Sequence, residues 1–120
     1  MKAFLFSLLV FFALLGLIIG NSFFVKSVAL TVQDHLDALE NIELARERLP
    51  ILQEYWKKNE RLLEFSIPSD DLHEIANRLV EMNAALLFED NLAFVTARDL
   101  CLESVVRIEN LERFSLLYIL

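Results

Sequence analysis

The residue types best suited to chemistry lie between Asp70 and Asn77, where two aspartates precede a histidine and a glutamate. Residues 73–77 read His-Glu-Ile-Ala-Asn, which approaches the helical zinc-protease motif. That motif needs a second histidine where Asn77 stands, because two imidazoles on one helix face must meet one ion. We therefore expect no zinc site. A weak cation site formed by His35 and the 70–74 acidic turn is an alternative, but we favour a solvated turn that caps a helix.

Other catalytic patterns are missing from the sequence. Its two glycines, Gly16 and Gly20, both lie in the hydrophobic amino-terminal stretch, so no glycine-rich loop is available to bind phosphate. The single cysteine, Cys101, excludes an intramolecular disulfide and lies among apolar neighbours, which predicts a buried, inert thiol. We therefore expect no catalytic residue, no cofactor, no metal and no enzymatic activity.

Charge is divided unevenly along the chain. Lys2 and Lys26 flank the hydrophobic stretch, and the other 9 of the 11 basic residues lie after residue 26 together with all 18 acidic residues. The region from residue 27 onward thus carries a net charge of 9 minus 18, or −9. Such an acidic surface repels a phosphate backbone, which argues against nucleic-acid binding.

Residues 1–26 are predicted to be a transmembrane anchor. No charged residue occurs between Ala3 and Val25, and as a helix this run is about 34 Å long, against a hydrocarbon core of about 30 Å. Gly16 and Gly20 have the spacing that lets two membrane helices pair closely. A cleaved signal peptide ending at residues 27–29, Ser-Val-Ala, is the alternative. The short basic amino terminus favours a cytoplasmic N-terminus and an extracytoplasmic remainder.

Residues 27–120 are predicted to form one acidic helical domain, in which residues 27–40 extend the anchor helix. Asn41 is a plausible cap for a helix that ends near Leu63, and Pro50 must either kink or restart that helix. After Ile67-Pro68, Ser69 or Asp70 is expected to cap a helix that runs to Glu89, and residues 89–91 form a turn. A final helix spans residues 92–118. Helical apolar stripes recur in the three segments after residue 41, as Ile42, Ala45, Leu49, Leu52, Trp56, Asn59, Leu63; Leu72, Ile75, Leu79, Met82, Leu86; and Ala97, Leu100, Ser104, Ile108, Leu111, Phe114, Tyr118.

The fold class that follows is all-α, an amino-terminal transmembrane helix followed by an up-and-down bundle of three to four amphipathic helices. Trp56 is a suitable binding anchor, although its stripe position favours the core. Asn59 is a polar residue in a helical seam, where it can fix register or partner choice. The carboxyl-terminal run is unusually apolar for a free tail and is a further candidate interaction segment, in which we single out Phe114, Leu117 and Tyr118.

Four segments carry a resemblance to known proteins: Asn41-Ile42-Glu43-Leu44-Ala45, Trp56-Lys57-Lys58, Asp71-Leu72-His73-Glu74-Ile75 and Tyr118-Ile119-Leu120. In these segments the chain resembles a family of small bacterial single-pass membrane proteins that has no assigned activity. It implies a membrane helix plus a helical domain over nearly the whole chain. The family pattern has a histidine before an acidic residue where Ser69 and Asp70 stand here, so the resemblance transfers no site residue.

Two functions are compatible with these features. The first is a non-enzymatic interaction or accessory module of the cell envelope, anchored through residues 3–25, that binds a protein partner or another copy of itself. The second is an extracytoplasmic sensor or ligand-binding domain that signals through a membrane partner. We favour the first, because too little chain precedes the anchor to form an output domain across the membrane.

Overall fold

Four helices make up the described chain, and they confirm the predicted all-α bundle. The computed structural model describes the backbone of residues 1–119 and the side chains of residues 1–111. Within that part there is no strand, and the helices are α1 (Lys2–Asp37), α2 (Ile42–Leu63), α3 (Ser69–Leu87) and α4 (Asn91–Ile119).

The first helix has two halves with different surroundings. Up to Phe24 every side chain is exposed or only partly buried, whereas Val25, Val28, Ala29, Val32 and Leu36 are in the core. The expectation that the anchor helix continues beyond residue 26 is confirmed, and its second half is the first helix of a four-helix bundle. Within the described residues, α1 is the one helix long and apolar enough to cross a membrane.

The helices form a ring in chain order. α1 packs on α2 and α4, and α3 packs on the same two helices. Because the connections are short, successive helices run in opposite directions. The resulting molecule measures 68 × 23 × 21 Å, since the first half of α1 projects beyond the bundle. We call the end with the α1–α2 and α3–α4 turns the distal end, and the end with the α2–α3 turn, where α1 projects, the proximal end.

The second helix begins as its sequence predicts. Asn41 is the N-cap, with extended backbone and a side-chain Oδ1 that accepts a hydrogen bond from the Leu44 amide at 2.9 Å. Pro50 lies inside α2, which continues to Leu63 without restarting. Leu49 and Leu52 are fully buried on either side of Pro50, so core packing holds this segment although a proline cannot donate the usual backbone bond.

The start of the third helix corrects the predicted cap. Neither Ser69 nor Asp70 is the N-cap: Pro68 occupies that position, and no side chain caps the helix. The Pro68 carbonyl accepts from the Asp71 and Leu72 amides at 3.1 and 3.3 Å, so the helix begins directly at Ser69. Asp70 and Asp71 lie in the first turn, where their charges are favourable to the helix dipole.

The α3–α4 turn has the expected three residues but is displaced by one residue, to 88–90. Glu89 has φ of +53°, and the Asp90 amide donates to the Ala85 carbonyl at 2.9 Å, which is the hydrogen bond of a Schellman helix end. Glycine usually occupies this left-handed position. Asp90 then starts α4, since its Oδ1 accepts from the Ala93 amide at 3.1 Å. Three residues therefore reverse the chain between α3 and α4.

Candidate interaction surfaces

An open groove lies between α3 and α4 at the distal end, with a volume of about 650 Å³. Small side chains line its floor because α3 and α4 approach each other closely at the turn: Ala84, Ala85, Ala93 and Ala97. Phe88 and Leu92 stand over them on either side of the turn. We call this the distal groove. Its floor leaves room for the apolar side chains of another helix.

Three large apolar residues at the distal end are exposed, and two of them, Phe88 and Leu92, line the distal groove. Leu87, Phe88 and Leu92 are 76 %, 83 % and 78 % exposed, at the end of the bundle farthest from the exposed half of α1. The three-residue turn causes this exposure, since it leaves no loop to fold back over them. Large apolar side chains clustered at one place on a surface mark a site of association.

Acidic residues surround the same end. Glu81 and Asp90 line the distal groove, and Glu89 and Asp99 lie nearby on the turn and on α4. Some of these charges are paired within the chain, Glu89 with Arg46 at 2.9 Å and Asp99 with Arg98 at 3.2 Å. Across residues 34–49 and 81–100, which form the distal half, nine acidic residues face three basic ones, a net charge of −6. The electrostatic potential around the distal groove is therefore negative.

Two long-range contacts fix the geometry of the distal end. The Arg98 Nη1 donates to the Leu39 carbonyl at 2.9 Å, which attaches the α1–α2 turn to α4. The Arg46–Glu89 pair joins α2 to the α3–α4 turn. These contacts within the chain link the two distal turns to the neighbouring helices, and they hold the α3–α4 turn at the edge of the distal groove in place.

Trp56 and Asn59 are both turned toward the bundle. Trp56 is 4 % exposed and belongs to the core, and its indole Nε1 has no hydrogen-bond partner within the described residues. Asn59 is partly buried and its Nδ2 donates to the Tyr55 carbonyl at 2.8 Å, one turn back in the same helix. This bond is local to α2. A role for either residue in partner binding stays a prediction.

The other predicted interaction residues lie in two places. The side chains of Phe114, Leu117 and Tyr118 are outside the described residues, although the α4 backbone is helical through Ile119. Gly16 and Gly20 lie one turn apart on the projecting half of α1, and a Cβ built on either would meet nothing within 4 Å. Their face of α1 is open to a second helix, so pairing through them stays a prediction.

The acidic turn and the cysteine are placed apart from the distal groove. Asp70 and His73 are exposed at the start of α3, and the described residues contain no group of three or more His, Cys, Asp or Glu side chains arranged to hold a metal ion. Cys101 is completely buried, and burial raises the pKa of its thiol to about 12. The thiol is therefore protonated at neutral pH and unsuited to nucleophilic or metal chemistry.

The distal groove was not predicted from the sequence. Phe88 and Leu92 fall beside the predicted turn and belong to neither of the apolar stripes on the two flanking helices. The available signal was the four-residue run Ala84-Ala85-Leu86-Leu87 followed by Phe88, because this run is apolar all round and cannot be buried on one helix face.

Comparison of the chain with protein-family models, with curated proteins and with solved structures finds no match.

Proposed function

We propose that this chain is a non-enzymatic, membrane-anchored interaction module of the bacterial cell envelope, whose distal groove binds a cationic amphipathic helix of a partner protein. Residues 3–25 cross the cell membrane with the amino terminus in the cytoplasm, and the bundle lies on the extracytoplasmic side. The observation that carries the proposal is the exposure of Phe88 and Leu92 over a groove with an alanine floor.

The distal groove accounts for both properties of the proposed partner helix, its apolar face and its basic residues. An apolar helix face fits between α3 and α4, because ridges of large side chains pack over small ones. Basic residues at the edge of that face are attracted by Glu81, Asp90 and the net charge of the distal half. The position of the distal groove, at the end opposite the projecting half of α1, presents it to a partner that stands away from the membrane surface.

The proposal is tested by site-specific photo-crosslinking in cells. A photoreactive amino acid replaces Phe88 or Leu92 in the full chain, and Asn77, an exposed residue in the middle of α3, is the matched control position. We expect positions 88 and 92 to capture the same protein, through a segment whose sequence is both basic and amphipathic. Capture no greater than at position 77, or capture of unrelated segments, would contradict the proposal.

A substitution then separates binding from folding. Phe88→Asp places a charge beside the distal groove at a position that is 83 % exposed, so the bundle should unfold at an unchanged temperature. A synthetic peptide of the captured segment should bind the purified wild-type protein and lose at least tenfold in affinity for the variant. Equal affinity for the two proteins would place the binding site elsewhere.

The alternative function is an extracytoplasmic ligand-binding domain that signals through a membrane partner. Its support is the volume of the distal groove, about 650 Å³, which falls in the range of small-molecule sites. A metabolite that binds there should raise the unfolding temperature of the wild-type protein, since stabilisation follows RT ln(1 + [L]/Kd). The same metabolite should leave Phe88→Asp unchanged. No shift across a broad metabolite panel would remove this alternative.

A further inference from the structure

A second exposed aromatic residue lies at the opposite end of the bundle. Phe65, in the α2–α3 turn, is 84 % exposed, and Leu62, one turn earlier, is 52 % exposed. The turn itself is well fixed, because the Ile67 amide donates to the Leu63 carbonyl at 2.9 Å and Ile67 and Leu63 are buried in the core. Phe65 is thus held outward by a rigid turn.

Basic residues share the outer face of α2 with one of these apolar side chains. At about 100° per residue, Lys58, Arg61 and Leu62 lie within about one third of the circumference of α2, opposite the buried face that contains Trp56 and Leu63. Phe65 follows two residues after the helix end, in the α2–α3 turn. All four are exposed. The neighbouring carboxylates Glu60 and Glu64 project to one side of this face. We call these four residues the proximal patch.

We call the position of a residue along the bundle axis its height. Two side-chain contacts give the height of the proximal patch relative to α1. Arg107 Nη1 lies 3.4 Å from Glu74 Oε2, which aligns α4 with α3 at that point. Gln33 Nε2 donates to Glu109 Oε2 at 2.9 Å, which aligns α4 with α1. Pro68 lies about 9 Å from Glu74 along α3, and Lys26 lies about 10 Å from Gln33 along α1, both toward the proximal end. The α2–α3 turn and Lys26 are therefore within about one helical turn of the same height.

This height coincides with the edge of the predicted membrane span. Lys26 is the first charged residue after the apolar run of α1, so it marks the end of the hydrocarbon core if that run crosses the bilayer. The headgroup zone extends about 5–8 Å beyond the hydrocarbon core on each side. Phe65 therefore stands at the level where aromatic rings and long basic side chains are both favourable.

We propose that the proximal patch contacts the lipid bilayer, with Phe65 inserted into the interfacial zone and Lys58 and Arg61 against anionic headgroups. The inference rests on the proposed crossing of the membrane by α1, and it adds a second attachment point. Two attachments fix the tilt of the bundle, so that the distal groove points away from the membrane. The charge distribution agrees with this placement, because the proximal half from residue 25 onward carries nine acidic and seven basic residues, a net charge of −2, against −6 for the distal half.

The test measures the depth of nitroxide spin labels on the full chain in vesicles. Labels are attached at Phe65→Cys, at Phe88→Cys and at Phe12→Cys, and the buried Cys101 leaves the wild-type chain unlabelled. Phe65 and Phe88 are 84 % and 83 % exposed at opposite ends of the bundle, which makes them a matched pair. We expect the ratio of oxygen to nickel-complex accessibility to be several-fold higher at position 65 than at position 88.

The three positions separate the possible failures. Equal ratios at 65 and 88, with a high ratio at 12, would overturn the lipid contact, although α1 would still cross the bilayer. A low ratio at 12 would show that α1 does not cross the bilayer, and the proposed function would fail with it. A label at 65 that is shielded from both oxygen and nickel would mean that protein covers the proximal patch, which also overturns the inference.

A second measurement tests the basic residues. In vesicles of equal parts phosphatidylcholine and phosphatidylglycerol, the accessibility ratio at position 65 should exceed that in phosphatidylcholine alone, because the cations attract anionic lipid. The double substitution Lys58→Gln and Arg61→Gln should abolish this dependence on lipid charge. Arg46→Gln with Arg48→Gln, which removes two exposed cations from the distal part of the same helix, is the matched control and should preserve it. The same loss in both double variants would overturn the assignment of the contact to Lys58 and Arg61.

Discussion

Cys101 shows how one buried side chain makes the stability of the bundle depend on pH. Burial raises the pKa of its thiol from about 9 to about 12, while the unfolded chain releases the same proton near pH 9. Between these values the folded state binds more protons, so stability falls as pH rises. The contribution is fully present below pH 9 and is lost as pH rises toward 12.

Cys101→Ala should remove this dependence. At pH 7 the variant should be less stable than the wild type, because the substitution leaves a small cavity in the core. Between pH 9 and pH 12 the difference should move in favour of the variant by on the order of 4 kcal/mol, since the folded and unfolded thiols differ by about three pKa units and one unit corresponds to about 1.4 kcal/mol. Urea unfolding of both proteins across that range measures the difference in their free energies of unfolding. The contributions from titration of the lysines and tyrosines are the same in both proteins and cancel. A constant difference would mean that the thiol is not desolvated in the folded protein.

Glu89 holds a backbone conformation that a non-glycine residue adopts at a cost of about 1–2 kcal/mol. Glu89→Gly should relieve that cost but also removes the ion pair with Arg46 and adds flexibility to the unfolded chain. We therefore compare the substitution in an Arg46→Gln background, where the ion pair is already absent. Chemical denaturation should show a gain of about 0.5–1 kcal/mol. A loss of stability would show that the Schellman turn tolerates glutamate without strain.

At the scale of the helices, the periodicity of apolar residues predicted most elements, and a capping side chain predicted where α2 begins. The Asn41 cap and the apolar stripes followed from side-chain spacing, since each depends on neighbours within a few residues. Glutamate at a left-handed helix end and proline as the N-cap of α3 were not predictable, because other residues are preferred there and tertiary packing decides. Pro50 left two outcomes open, and only the burial of Leu49 and Leu52 selected a continuous helix.

The second half of α1 is part of the bundle core. Cleavage after Ala29, the signal-peptide alternative, would remove Val25, Val28 and Ala29 from the core. Fully burying a valine contributes about 1.5–3 kcal/mol, so a chain that begins at Leu30 should lose on the order of 3–5 kcal/mol relative to one that begins at Phe23. Thermal and urea unfolding of the two shortened chains, followed by circular dichroism, measures the difference.

A point variant isolates the core contribution in that comparison. Val28→Asp in the chain that begins at Phe23 keeps the length constant and places an unpaired charge in the core, so it should destabilise at least as much as the truncation. Equal unfolding midpoints for all three chains would mean that this part of α1 contributes nothing to the bundle, and cleavage at residue 29 would then be compatible with a folded product.

For the whole molecule, the sequence predicted the all-α bundle but not the position of the distal groove. The net charge of the domain could be read from composition, whereas its division into an acidic distal half and a nearly balanced proximal half depends on how the helices fold back. The same holds for the distal groove, which exists because a three-residue turn brings Ala85 and Ala97 of different helices together and leaves Phe88 uncovered. Sequence periodicity assigns a residue to a helix face but does not show which faces stay without a partner.

The orientation of the molecule in the membrane is the remaining expectation at this scale. Lys2 and the amino terminus precede the apolar run and Lys26 follows it, a small asymmetry that favours a cytoplasmic amino terminus. Asn83→Cys places a thiol on an exposed position of α3, while Cys101 is buried and protonated at neutral pH, so a maleimide reports the new site alone. A membrane-impermeant maleimide should label Asn83→Cys in intact cells and leave the wild type unlabelled. Labelling of the variant only after permeabilisation would place the bundle in the cytoplasm, and the partner proposed for the distal groove would then be a cytoplasmic protein.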